Sequence, residues 1–262
     1  MKTRGLGRAK ERAIQVLDYS LQKSRITSGS SSRYGTNGEE LYSAVSDWIK
    51  AQHKDDYIRL LDVGANLGEF TNNLKLRFSQ LDQRVNPFKL YCVLVEPIPP
   101  FFEYLVIEAS DGSKHNVAIG TSRLPLKICK VGNGGRRWGV SDESSDKQRE
   151  WFEVPVVTGD EFLQRISFKP NVIKVDVDGD DLDVLRSMVN YLKAFKPLLI
   201  LEHSETFARE AGHSLSQVID FLKETGYSIR VISPKGRLRR IYTPRFEVLP
   251  GQTKNFLAFA EI

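Results

Sequence analysis

The sequence predicts a doubly wound α/β sheet, and three observations support that prediction. Apolar strand-like runs alternate with amphipathic segments of helix length from Leu60 onward. One run, Leu60-Leu61-Asp62-Val63-Gly64-Ala65-Asn66-Leu67-Gly68-Glu69-Phe70-Thr71, breaks into a glycine turn that opens a helix, and its apolar density suits a strand covered on both faces. The last two strand-like runs, Tyr227–Ser233 and Asn255–Glu261, are joined by a polar segment without helical pattern, so they read as antiparallel partners.

The elements follow in order. Residues 7–22 place Ala9, Ala13, Ile14, Val16, Leu17 and Leu21 near a 3.6-residue period, which reads as an amphipathic helix. The serine-rich stretch 24–38 reads as a flexible linker or a lid, so the expected division is an arm over residues 1–38 and a body over residues 39–262. Glu39–Gln52 reads as a helix with Leu41, Val45, Trp48 and Ile49 on one face. Strand-like runs follow at Lys89–Glu96, Lys114–Ile119, Leu124–Val131, Phe152–Val157, Val172–Val177 and Pro197–His203. Crossover helices are expected at Phe70–Leu81, Pro100–Glu108, Gly159–Ile166, Asp181–Phe195 and Leu215–Thr225.

Composition sets outer bounds. A chain of 262 residues, 40% hydrophobic, can bury one large core. No apolar run approaches the roughly 20 residues that span a bilayer and no secretory leader is apparent, so a cytoplasmic protein is expected. Cys92 and Cys129 each sit in an apolar run and read as buried free thiols, and no metal centre is expected. The net charge of +5 belongs to the arm, which carries eight cations against Glu11 and Asp18. That imbalance fits either a solvated helix face or an anionic partner such as RNA, phospholipid or a phosphorylated sugar carrier.

The glycine turn reads G-x-x-x-G, with Asn66 where a dinucleotide site needs its central glycine against pyrophosphate. A ligand without phosphates fits better, and S-adenosylmethionine is one, with Asp62 and Asn66 as candidate partners. Glu96, delivered at the end of the next strand and followed by Pro97, is placed to accept both hydroxyls of a ribose. In His115-Asn116-Val117-Ala118-Ile119-Gly120, the backbone of Val117 and Ala118 is a candidate for the adenine edge.

Catalytic candidates come from two later strands. In Ile173-Lys174-Val175-Asp176-Val177-Asp178-Gly179-Asp180-Asp181, strand alternation would put Asp176 and Asp178 on one face, where two close carboxylates push their pKa values apart. A magnesium site is the alternative reading of those acids, and Asp181 reads as a cap for the next helix. His203, after Leu198-Leu199-Ile200-Leu201-Glu202, is a candidate general base. The glycine-rich stretch 132–139 reads as a hairpin tip presenting Arg136, Arg137 and Trp138 to a sugar, nucleobase or phosphate, or simply to solvent.

Taken in order, LDVGANLGEFT, VEP, NVAIG, VPVVTGDEFL, IKVDVDGDDLDVL, LLILEHS and NFLAFAEI resemble the FkbM-type family of S-adenosylmethionine-dependent methyltransferases over roughly residues 58–262. The resemblance implies a class I methyltransferase fold, a seven-stranded sheet with its last strand antiparallel, and methylation of a hydroxyl on a sugar, glycolipid or secondary metabolite. It also implies cofactor contacts at Gly64, Asn66, Gly68 and Glu96, with Asp176 to Gly179 bordering the methyl group. Two positions depart from the family pattern: Asp178 stands where Glu is common, and Gly159-Asp160 where Leu-Asp is usual. Ribose methylation on RNA, with Lys174 or Lys196 beside an acid, and a non-catalytic cofactor-binding scaffold are the alternative functions. The sequence leaves the oligomeric state open.

Overall fold

A computed structural model describes residues 39–52, 57–80, 89–107, 111–131, 134–137, 150–232, 237–240 and 253–260. The expected helix at 7–22, the linker, Trp138 and the rest of the arm lie outside the described residues.

Helix α1 (Glu39–Gln52) leads to β1 (Tyr57–Val63), α2 (Glu69–Gln80), β2 (Lys89–Val95), α3 (Pro99–Tyr104) and β3 (Gly112–His115). After an inserted segment come α4 (Gly159–Arg165), β9 (Val172–Val175), α5 (Asp181–Ser187), α6 (Val189–Phe195) and β10 (Leu198–Ser204). Helices α7 (Glu205–Glu210) and α8 (Leu215–Glu224) precede β11 (Tyr227–Ile232), β12 (Leu238–Arg240) and β13 (Thr253–Ala260).

The principal sheet runs β12-β11-β13-β10-β9-β1-β2-β3, with β3, β2, β1, β9 and β10 mutually parallel. Strand β13 inserts between β10 and β11, antiparallel to both, as expected of the last strand. The described sheet holds eight strands where seven were expected, because Leu238–Arg240 adds an edge strand from the polar segment. The order reverses at β1, which has β2 on one side and β9 on the other. Ligands of open α/β sheets bind beyond the carboxyl ends at such a point.

Alternation along the central strands builds two cores. Ile58, Leu60, Val172, Leu198 and Ile200 face the layer of α1 and α2. Leu61, Val63, Ile173, Val175, Leu199 and Leu201 face the layer of α4, α5, α6 and α8. Burial on both faces explains why these strands read as apolar runs rather than as alternating patterns.

Three expected elements divide. The run Lys114–Ile119 splits into β3 and β4 (Ala118–Ile119), and Asn116 between them donates to the carbonyls of Glu96 and Pro97. The run Phe152–Val157 splits at Pro155 into β7 (Trp151–Val154) and β8 (Val156–Val157), since proline cannot donate to a ladder. Strand β8 pairs with β4. Strands β5 (Leu126–Val131), β6 (Gly134–Arg137) and β7 form a separate three-stranded sheet rather than joining the main one. Arg136 and Arg137 therefore lie along β6, opposite Cys129 and Ile128. The helix expected over Asp181–Phe195 breaks at Met188, and the Asp160 carboxylate accepts from the Asn190 and Tyr191 backbones at the start of α6.

That break accounts for one departure from the family pattern. A Cβ on Gly159 would meet Met188 Cβ at 2.7 Å and Ser187 Oγ at 3.2 Å, so no leucine fits where α4 begins against the break. Both cysteines are buried free thiols, as expected, and burial pushes Cys92 up to about 12.

Candidate active site

The glycine turn is held by what surrounds it. Gly64 has φ +80°, and a Cβ there would lie 1.8 Å from the carbonyl oxygen of Asp176. The glycine thus lets the end of β1 pass against the end of β9, a reason for it besides ligand approach. Gly64 and Ala65 both donate to Val95 O, each at 3.0 Å, which ties the turn to β2. Asn66 adopts φ +51°, a conformation asparagine tolerates better than most residues. Gly68, at φ +82°, would carry a Cβ 2.8 Å from Leu105 Cδ1.

Glu96 lies at the carboxyl end of β2 and is 4% exposed. Its Oε2 accepts from Asn66 N and its Oε1 from Ile98 N, both at 2.8 Å. A carboxylate oxygen offers about two acceptor positions, so each oxygen keeps capacity for a ribose hydroxyl. Burial pushes Glu96 up to about 7, with the Ile98 and Asn66 amides acting the other way. Pro97 follows it, half-buried. Of the adenine candidates, Ala118 spends its N–H on Pro155 O at 2.9 Å.

Beside β1, on the α1/α2 face, stands a buried charge cluster. Lys174 is 5% exposed, and its Nζ donates to Asp176 Oδ2 at 2.8 Å and lies 3.7 Å from Asp62 Oδ1. It also sits 5.3 Å from the centre of the Phe70 ring. Burial alone would lower the lysine's pKa, but Asp176 and then Asp62 more than offset it and hold the ammonium above its ordinary value. Asp62 is fully buried, and its Oδ2 accepts from Thr71 Oγ1 at 2.7 Å. Burial raises Asp62, opposed by Lys174 and Thr71. Asp62 thus joins the strand to Lys174 and to the first turn of α2, behind the turn that would meet a cofactor.

Strand alternation does not extend over Asp176 and Asp178. Strand β9 stops at Val175, and Asp178 lies exposed in the turn with φ +50°. Aspartate enters that left-handed region more readily than most residues, which gives a backbone reason for Asp where the family has Glu. A further carboxylate joins the two aspartates, Glu202 on β10, pushed up to about 7 chiefly by the charge of Asp176 and then by burial, with Asp178 also acting on it.

His203 points the other way. It is 2% exposed on the α5/α8 face, with Nδ1 3.5 Å from Asp181 Oδ2 and Nε2 3.3 Å from Glu205 Oε2. Asp181 is no cap: Asp180 occupies the cap position, and the Asp181 side chain is buried against His203, with burial raising its pKa. Burial would raise Glu205 too, but bonds from Arg209, His203 and the Leu215 amide hold it below its ordinary value.

Lys174 and Glu202 are the residues that sequence reasoning underweighted. A lysine inside Val-Ile-Lys-Val, two residues before an acid, carried the signal: on a buried strand its charge needs partners on its own face.

Comparison with known proteins places the chain in a family. Residues 62–229 match the methyltransferase FkbM domain. The chain is 25% identical to the hexuronic acid methyltransferase AglP of Haloferax volcanii, over 64% of this chain and 65% of that protein. It superposes on the crystal structure of an FkbM methyltransferase from Methylobacillus flagellatus with a TM-score of 0.50 and 15% identity. That superposition covers 83% of this chain and 48% of the other. The chain thus spans just under two thirds of the first relative and about half of the second.

Proposed function

Because the chain belongs to the FkbM methyltransferase family, we propose that it transfers a methyl group from S-adenosylmethionine to a hydroxyl oxygen of a sugar, glycolipid or secondary metabolite. The observation that carries this reading is the placement of Glu96 and Asp176 at the carboxyl ends of β2 and β9, on either side of the glycine turn of β1. Glu96 would hold the ribose hydroxyls, the turn at Gly64, Ala65, Asn66 and Gly68 would face the rest of the cofactor, and Val117 would lie at the adenine. Asp176 and Asp178 would border the reacting groups. When bound, S-adenosylmethionine supplies a methyl carbon already activated by a cationic sulfur, so the protein's work is alignment and removal of one proton.

A hydroxyl acceptor fits the charge of the site. A carboxylate nucleophile would approach Asp176 and Glu202 against like charge, whereas a hydroxyl brings a proton that such acids are suited to hold. The sugar preference is taken from the Haloferax relative, a hexuronic acid methyltransferase.

The test is binding of S-adenosylmethionine by calorimetry, followed by transfer of labelled methyl to separate pools of oligosaccharides, glycolipids and short RNAs. Binding with label in a saccharide or glycolipid pool is expected. Label confined to RNA would transfer the assignment to ribose methylation, and binding without turnover in any pool would favour the scaffold.

A further inference from the structure

Glu202 and His203 are consecutive residues on opposite faces of β10. Leu201 pairs with Val175 where that ladder ends, so Glu202 and Asp176 are the next residues along the two chains, and of all groups Asp176 acts most strongly on Glu202. Glu202 shares the face of Ile200 and Lys174, at the strand end adjoining the crevice. The groups acting on it are Asp176 just beyond β9, Lys174 from β9, Asp178 from the turn, Asp181 from α5 and Tyr42 from α1. Strand β13 sets Asn255 opposite it and Lys254 opposite His203.

We propose that Glu202 is the catalytic group that receives the acceptor's hydroxyl proton; this rests on the function proposed above. The acceptor oxygen forms the bond to the methyl carbon, the carbon–sulfur bond breaks with its electron pair remaining on sulfur, and the hydroxyl proton ends on the Glu202 carboxylate. Two other candidates are already engaged. Asp176 is committed to Lys174 at 2.8 Å, and His203 is sealed between Asp181 and Glu205 on the far face. Glu202 is only partly buried, and its elevation to about 7 suits a base that exchanges its proton near neutrality.

The test pairs an infrared carboxyl titration of the whole protein, which needs no acceptor, with turnover on whichever pool takes label. Two glutamate carboxyls should titrate at about 7 in the wild type. Glu202→Gln should remove one and Glu96→Gln the other, and Asp176→Asn should move the Glu202 titration towards its ordinary 4.5. Turnover of Glu202→Gln should fall by about 10²-fold or more, losing the acidic limb of the pH profile, with S-adenosylmethionine affinity unchanged. Glu202→Asp should recover the limb in part. A wild type lacking the Glu202 signal near neutrality overturns the proposal whether or not an acceptor is found. Turnover of Glu202→Gln within about threefold of wild type overturns it and leaves the methyltransferase reading standing. Failure of the wild type to bind S-adenosylmethionine overturns both.

Discussion

Two clusters of buried charge flank the end of β10, and they differ in how each is closed. On the α1/α2 side, Lys174 faces Asp62, Asp176 and Glu202, so acids outnumber the cation at the edge of the proposed site. On the α5/α8 side, His203 lies between Asp181 and Glu205, and Glu205 is tied outward to Arg209 and to the Leu215 amide. The first has an excess of proton-accepting oxygen next to the crevice, which suits chemistry. The second is spent on joining α5, α7 and α8 to the sheet. Period-two alternation separates them, so adjacent residues in the sequence take part in different functions.

The strongest way to break this contrast is Lys174→Met. It leaves the buried Asp62 and the half-buried Asp176 without their cation, and removal of one partner from a buried pair costs about 3–5 kcal/mol. Urea unfolding should show the full loss at pH 8 and a smaller one at pH 5. The sign follows from the linkage: Asp62 is already raised above its ordinary 3.8, the lost cation raises it further, and lowering the pH lets the folded protein take up the compensating proton. A loss that is equal at both values would mean that the cluster is held by packing rather than by charge.

Next in size is Gly64→Ala. Its Cβ would stand 1.8 Å from Asp176 O at φ +80°, so left-handed strain and overpacking together should cost about 2–4 kcal/mol. Cofactor binding should weaken in parallel, measured by calorimetry, because the strand ends that frame the crevice must separate.

His203→Gln tests the other side. It should cost about 1–3 kcal/mol by leaving buried acceptors poorly matched, while turnover stays within about threefold of wild type. A general base would instead lose 10²-fold or more. The stability deficit should grow with pH: Asp181 is held above its ordinary 3.8 by burial, His203 is what opposes that, and without it the acid is harder to ionise as the pH rises.

Much of this fold was legible because central strands and their helices differ in period. The bounds of α1 and the antiparallel pairing of β13 with β11 are cases in which pattern agreed with packing. The breaks at Met188 and after His115 were not legible, since each depends on a partner distant in the chain: Gly159 against Met188, and Asn116 against Glu96. At the site, Glu96 could be placed from the strand that carries it. Alternation could not carry Asp176 and Asp178, because the strand ends at Val175 and the chain enters a left-handed turn, and Glu202 was underweighted because the charge that acts on it most comes from beside the neighbouring strand.

The smallest expected effect sharpens the same comparison. Arg209 Nε donates to Glu205 Oε1 at 2.9 Å, four residues along α7, but its side chain is 66% exposed. An exposed helical pair of this kind is worth about 0.3–0.5 kcal/mol. Arg209→Met should therefore change the unfolding midpoint only slightly, and less still at high salt, even though it touches the same carboxylate as His203. The difference between the two variants measures how much of the far cluster is held by the buried imidazole. If Arg209→Met cost as much as His203→Gln, the cluster would be anchored from its solvent side, and the division between a chemical face and a structural face of β10 would need a different physical basis.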